Sequence, residues 1–348
     1  MKKFIIGIDV SKEKLDSCFL HESKVVEESI VENNTDSIKK WLNKFIKDKR
    51  IQKEEMLICA EYTGQYTYPL SCVCNEFSID LWLENPAQIK YSSGVQRGKN
   101  DKLDARKIAY YAQRYIDRAV LFSLPDKVLM TLKQLISERD LYVADKSKYH
   151  AQLTDQKRFM DKEIYKNKEK RLKTLIFELN KTIDQIDRQI KDLIDSDDNL
   201  REQHKILCSV DGVGERIAVK MIVETNAFKS FTDARKFCCH AGVAPFAYTS
   251  GTSVHSRNKV SNRADKSIKS LLHMAALSAI KIDGELRKYY LRKVEEGKNK
   301  MSVINAVRAK IIYRMFAVIK NNRQYKSSPK SRYIAIHGNG IIKFGKTT

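Results

Sequence analysis

Asn100-Asp101-Lys102-Leu103-Asp104-Ala105-Arg106-Lys107 is the stretch on which the reading of this chain turns. It lies where a loop gives way to a helix. Asp101 and Asp104 are three residues apart, so on that helix they share a face, one turn above the other. Lys99, Lys102, Arg106 and Lys107 surround them. Two carboxylates on one face repel each other unless a cation or solvent separates them. Hard oxygen donors at this spacing suit Mg²⁺ or Mn²⁺. An acidic first turn that complements the helix dipole would look the same in isolation. The residues upstream favour the metal.

Lys3 to Val10 reads as a buried strand, with Asp9 near its end. An ionised Asp in a β-run is costly unless it meets a metal or another cation. Leu15 to Leu20 and Val25 to Val31 continue as a meander. Thr35 to Asp48 is then a helix with Ile38, Trp41, Leu42, Phe45 and Ile46 on its apolar face. Met56 to Ala60 is a further strand that ends at Glu61, so a second acid follows a strand tip. A helix through Leu70 to Glu76, a strand at Asp80 to Leu83, and a helix entered near Pro86 lead to the Asp101/Asp104 helix. This order matches the ribonuclease-H-like architecture. The acids Asp9, Glu61, Asp101 and Asp104 follow its Asp-Glu-Asp-Asp sequence, which makes a metal site the better reading than exposed strand-end charges.

The chain has 348 residues, enough for two or three domains, and a net charge of +22. Self-repulsion of that size points to a polyanionic partner, nucleic acid before an anionic membrane surface. No run of 18 apolar residues exists, so no spanning helix is expected, and the short apolar N-terminus lacks a signal-peptide cleavage site. The seven cysteines show no Cys-x-x-Cys spacing. Cys72/Cys74 and Cys238/Cys239 with His240 are therefore read as reduced cytosolic thiols in preference to a zinc site.

Residues 126–200 hold neither proline nor glycine. Leu172, Ile176, Leu179, Ile183, Ile186, Ile190 and Leu193 alternate steps of four and three, a heptad seam. Leu129 to Leu153 is a looser helix, and the Lys-rich stretch Lys162 to Lys170 is expected to be the turn, or a frayed region, between two antiparallel helices. The seam could be satisfied inside one chain. Self-association is the favoured reading, and a charge at Ile183 or Ile186 is then expected to give monomers.

Val210-Asp211-Gly212-Val213-Gly214-Glu215-Arg216 fits a helix-hairpin-helix. There Gly212 and Gly214 would let backbone N–H groups hold a phosphate, reading backbone and not sequence; a tight helix connection is the alternative. Phe231 to Cys239 is a short helix. Tyr248 to Val254 is polar, small and rich in hydroxyls, and is expected to be a loop. Arg257, Lys259, Arg263, Lys266 and Lys269 follow it against a single acid, Asp265. A hydroxyl-rich loop beside five cations suits a phosphodiester. Its serine could attack phosphorus or merely bind phosphate. Ser267 to Ile282 and Ser302 to Ile319 are amphipathic helices that close this region. Asn321 to Thr348 is a basic tail expected to be loose or to order on nucleic acid.

Ile8-Asp9-Val10-Ser11-Lys12, Gly98-Lys99-Asn100-Asp101-Lys102-Leu103-Asp104-Ala105 and Ala241-Gly242-Val243-Ala244-Pro245 with Ser250-Gly251 resemble the Piv-type DEDD transposases of bacterial insertion sequences. The resemblance covers nearly the whole chain. It implies an α/β plus α protein: a RuvC-like domain over 1–125, a coiled-coil oligomerisation segment over 126–200, a mostly helical transposase domain over 201–320, and the basic tail. It implies further that Asp9, Glu61, Asp101 and Asp104 bind Mg²⁺ or Mn²⁺. Ser250 matches the family's catalytic serine, with Ser253 close by. It also implies donor and target DNA, a structured non-coding bridge RNA and a tetramer as partners, in a bacterial cytoplasm. A metal-dependent, structure-specific nuclease using water is the competing enzyme reading.

Overall fold

The computed structural model describes residues 2–92, 100–250, 254–261 and 264–326. The chain divides into two compact units, Met1–Pro125 and Asp126–Thr348.

The first unit is built on five strands: β1 (Phe4–Val10), β2 (Lys14–His21), β3 (Lys24–Glu32), β4 (Met56–Glu61) and β5 (Asp80–Glu84). Their order is β3-β2-β1-β4-β5. β1 pairs antiparallel with β2 and parallel with β4, and β4 pairs parallel with β5. This is the ribonuclease-H-like arrangement expected from the sequence. The central strands are apolar on both faces because both are covered. On one face Ile6, Ile8, Ile58 and Leu81 pack with α1 (Thr35–Lys49) and α2 (Tyr68–Glu76). On the other, Ile5, Leu57, Cys59 and Trp82 pack under α4 (Asp101–Arg114), which follows α3 (Pro86–Ser92).

α4 lies directly on β1. A Cβ at Gly7 would fall under 3.0 Å from Ala109 N and Ala105 O, so only glycine allows the helix backbone this close. Ala105, Ala109 and Ala112 keep the same face of the helix small.

The second unit begins with α5 (Lys127–Asp155) and α6 (Lys162–Asp195), which pack against each other. The turn lies at 156–161, not in the Lys-rich stretch. Asp161 caps α6 through Glu163 N and Ile164 N, and Tyr165 is buried with its hydroxyl donating to Leu153 O at 2.6 Å. A long run of Lys and Glu is good helix material once a cap starts it.

The heptad seam is largely used inside the chain. Ile176, Ile183, Ile186 and Ile190 are buried in the single chain. Ile186, Ile190 and Ile194 join Leu129 and Leu132 in the core of α7 (Asp198–Cys208) and α8 (Glu215–Glu224). The helical spacer and the region after it therefore share one core. This changes what a charge at Ile186 tests. Ile186→Asp is expected to cost about 3–4 kcal/mol by burying an unpaired carboxylate, seen as a lower melting temperature by circular dichroism. A halved mass by light scattering with unchanged melting would restore the self-association reading.

α9 (Ala234–His240) leads into an antiparallel hairpin, β6 (Pro245–Ser250) and β7 (Val254–Val260). The segment expected to be a loop is thus strand up to Ser250. Three more helices close the unit: α10 (Lys266–Ala279), α11 (Glu285–Glu295) and α12 (Lys300–Lys320). α11 went unrecognised in the sequence because its charged face hides a sparse apolar one, of which only Leu286 is fully buried. Among the described residues no helix is long and apolar enough to cross a membrane.

Candidate functional site

Strand alternation decides where the acids point. On β1, Ile6, Ile8 and Val10 enter one core and Ile5 the other, which sets Gly7 and Asp9 on the α4 side. On β4, Leu57 and Cys59 face α4, and so does Glu61 at the strand end. Ile8 stands opposite Ala60, so the next step puts Asp9 beside Glu61 at the carboxyl ends of two parallel strands.

Two further acids, not recognised in the sequence, extend the row. Asp16 is the register partner of Asp9, and Glu84 is the register partner of Glu61. The order across four adjacent strands is Asp16, Asp9, Glu61, Glu84, all on the α4 face. Glu84 is tied down: its Oε1 accepts from Asn85 N at 2.6 Å and its Oε2 from Tyr111 Oη at 3.0 Å. Burial, and then that hydrogen bond, push the Tyr111 phenol up, so it stays a donor at neutral pH.

Asn100 caps α4 by accepting from Lys102 N at 3.1 Å. Ala105, Ile108, Ala109 and Ala112 form the buried stripe of the helix. Asp101 and Asp104 precede Ala105 and Ile108 by four residues and so extend that stripe by one turn. Lys14 binds this turn to the sheet. Its Nζ lies 3.0 Å from Asp101 Oδ2 and 2.9 Å from Asp16 Oδ2. Hydrogen bonds to Asp16 and then Asp101 raise its pKa. Asp16 is 3% exposed. A cation between these two oxygens is thus already part of the fold, supplied by an ammonium group. Lys107 Nζ binds Asp104 Oδ1 at 2.5 Å. Arg106, on the other side of the helix, forks onto Glu28 and secures α4 to β3. The four predicted ligands are all carboxylates, the donor type that suits a hard divalent cation such as Mg²⁺ or Mn²⁺, while among the described residues no three of them bring donor atoms within 4.8 Å of one another.

In the second unit Ser250 is the last residue of β6 and pairs with Val254, the final register pair before the turn. Arg257 lies on β7, and Lys259 pairs there with Phe246. Lys266 opens α10 and is exposed. Ser253 and Arg263 lie outside the described residues, as do Gly98, Lys99 and the tail from 327 onward. The two glycines of the proposed hairpin motif differ. Gly212 has φ +85° and its missing Cβ makes room for Ala275 O and Ala279 of α10, so close packing already requires it. Gly214 is the N-cap of α8, with open space around it.

All seven cysteines are free. His240 faces carboxylates, not thiols. Donor atoms of Glu224, His240 and Asp265 lie within 4.8 Å of one another. One oxygen of Glu224 is held by Lys220 at 2.8 Å, and Asp265 Oδ1 caps α10.

Comparison with known proteins agrees with both halves of this description. A transposase family model of the DEDD, IS110 type matches residues 6–160, and a model of the transposase IS116/IS110/IS902 family matches residues 204–291. The pilin gene-inverting protein of Moraxella lacunata is 24% identical over 93% of this chain and 98% of its own length. An insertion element IS110 protein of Streptomyces coelicolor is 28% identical over 35% of this chain and 30% of its own. Among solved structures, Thermus thermophilus RuvC aligns with 35% of this chain and 99% of its own at 12% identity, with a TM-score of 0.27. With one model spanning the acid-bearing unit and another the region around the serine hairpin, the chain belongs to the IS110-type family of transposases.

Proposed function

We propose that this transposase cuts and rejoins DNA through a phosphoserine link formed by Ser250, with a divalent cation held by Asp9, Glu61, Asp101 and Asp104. The observation that supports the reading is the placement of Asp9 and Glu61 side by side at the carboxyl ends of β1 and β4, with Lys14 linking Asp101 on α4 to Asp16, the register partner of Asp9. Ser250 Oγ attacks phosphorus and gives up its proton, and the departing deoxyribose oxygen takes one up. The new ester keeps the energy of the broken phosphodiester, so a different DNA hydroxyl can displace the serine later. A bound Mg²⁺ or Mn²⁺ would offset charge building on the phosphoryl oxygens.

Sequence choice fits a structured non-coding guide RNA that pairs with donor and target DNA, while the protein holds backbone and shape. The charge of +22 suits a chain that handles several polyanions at once. A tetramer is the assembly proposed to bring the acidic unit and the serine hairpin to one phosphate.

Trapping by denaturation during turnover tests the reading. A protein–DNA adduct is expected for the native chain and none for Ser250→Ala. Free phosphate ends with undiminished cleavage by that variant would favour the hydrolytic nuclease.

A further inference from the structure

Among the described residues of the second unit three arginines, Arg139, Arg308 and Arg314, are buried or half-buried, and the fold neutralises two of them. Arg139, 6% exposed, forks onto Asp187 with bonds of 2.5 and 3.1 Å. Arg314 lies 2.7 Å from Glu285 and 3.6 Å from Asp211. Arg308 is treated differently. It is 7% exposed, and its one hydrogen bond among the described residues runs from Nη2 to Nδ1 of His273 on α10, at 2.6 Å. Its Nε is buried with no hydrogen-bond partner. No carboxylate among the described residues pairs with it, and burial alone shifts its pKa, downward.

A buried cation without a counter-charge costs several kcal/mol, and an apolar residue of the same volume would serve the fold better. The neutral imidazole satisfies only one of five guanidinium N–H donors. Accepting at Nδ1 also leaves His273 with its hydrogen on Nε2, a second donor in the same place.

The position suggests what is missing. One turn earlier on α12, Asn305 Nδ2 donates to Val243 O at 2.8 Å. Val243 belongs to the turn from which β6 runs to Ser250. The root of the hairpin is closed there: Asp265 N donates to His240 O at 3.0 Å, and a Cβ on Gly242 would collide with Ala264. Residues 305 and 308 are neighbours on one helix face. Arg308 and His273 therefore stand beside the anchor of the strand that carries the serine.

We infer that Arg308, backed by His273, is a phosphate-binding site for a DNA phosphodiester at the root of the Ser250 hairpin. The inference rests on the reading of this unit as the one that handles the cut strand. A guanidinium fork matches two phosphoryl oxygens, and a phosphate supplies the counter-charge that the fold withholds.

The test uses the full chain and inorganic phosphate, titrated at constant ionic strength against chloride, with melting temperature as readout. Phosphate is expected to stabilise the native chain. Arg308→Gln should weaken that response at least tenfold, Arg308→Lys should keep part of it, and Lys310→Gln, which removes an exposed charge from the same helix, should leave it intact. Without phosphate, Arg308→Met should melt no lower than the native chain, which a purely structural arginine would not allow. An undiminished phosphate response in Arg308→Gln, or a large loss of stability in phosphate-free Arg308→Met, overturns the inference. In a second arm, Arg308→Gln should weaken binding of duplex DNA about tenfold and leave RNA binding unchanged; loss confined to RNA would refute the DNA assignment. Ser250→Ala separates the two readings. It should keep the phosphate response and lose the covalent adduct. An adduct that survives in Ser250→Ala would refute the serine while leaving Arg308 untouched.

Discussion

Asp101→Asn is expected to lower strand exchange by at least about 10³-fold, some 4 kcal/mol of transition-state stabilisation, while DNA binding stays within about twofold of native. The substitution keeps the shape of the side chain and one of its oxygens. It removes one of the two negative charges that the first turn of α4 carries. Asp101 Oδ2 is also the atom that Lys14 Nζ approaches to 3.0 Å, so the change weakens the cation-binding character of the first helical turn twice over. Binding should survive because duplex affinity in a chain of charge +22 comes from lysines and arginines on phosphates, and the variant deletes none of them. Exchange products on a gel and fluorescence anisotropy on the same preparation measure both quantities. A variant that still exchanges strands at the native rate, or one that loses DNA affinity along with activity, would contradict the role given to this carboxylate. Asp16→Asn is a useful companion. If Asp16 serves mainly to hold Lys14, its loss should free that ammonium to crowd Asp101 and give a smaller fall in rate, of about tenfold.

The first unit was readable from its sequence because its sheet is buried on both sides. Runs such as Ile5-Ile6-Gly7-Ile8 and Leu57-Ile58-Cys59-Ala60 have few other uses, and the acids that end them stand out against the apolar background. Asp16 and Glu84 were missed for a related reason. Each is a polar residue in or at the end of a strand, and only the register, Asp9 with Asp16 and Glu61 with Glu84, brings it into the row. Register is a pairing between distant segments and has no local signature. The β6–β7 hairpin was hidden differently. Tyr248 and Thr249 favour strands, but the run is short and merges into Ser250-Gly251-Thr252-Ser253, which reads as a loop, so only the pairing with β7 reveals the strand. The heptad in α6 was legible as a pattern, but the pattern does not say which helix covers it. Ile186 and Ile190 are covered by the chain's own core. Arg308 carried no signal at all, since an arginine in Asn-Ala-Val-Arg-Ala-Lys looks like surface until its neighbours are known.

Gly7→Ala should be the most damaging one-carbon change in the first unit. The added methyl would lie under 3.0 Å from Ala109 N and Ala105 O, both backbone atoms of α4. No rotamer can relieve such a clash, so either the helix lifts from β1 or the strand bends away from it. Overpacking of this kind costs about 3 kcal/mol, roughly 10 °C in melting temperature for a unit of this size. Gly64→Ala is the contrast. Gly64 has φ +70° but nothing within 4 Å of its Cβ position, so backbone strain alone should cost about 1 kcal/mol. Lifting α4 has a consequence beyond stability, because Asp101 and Asp104 ride on its first turn while Asp9 and Glu61 stay with the strands. Activity should therefore fall in Gly7→Ala even at temperatures where the protein remains folded, and in Gly64→Ala it should not. Hydrogen exchange locates the effect: amides of β1 and α4 should exchange faster, and those of α8 through α12 should be unchanged. If Gly7→Ala melts like the native chain and retains full strand exchange, α4 does not need to touch β1 to place its acids, and the close approach has some other purpose.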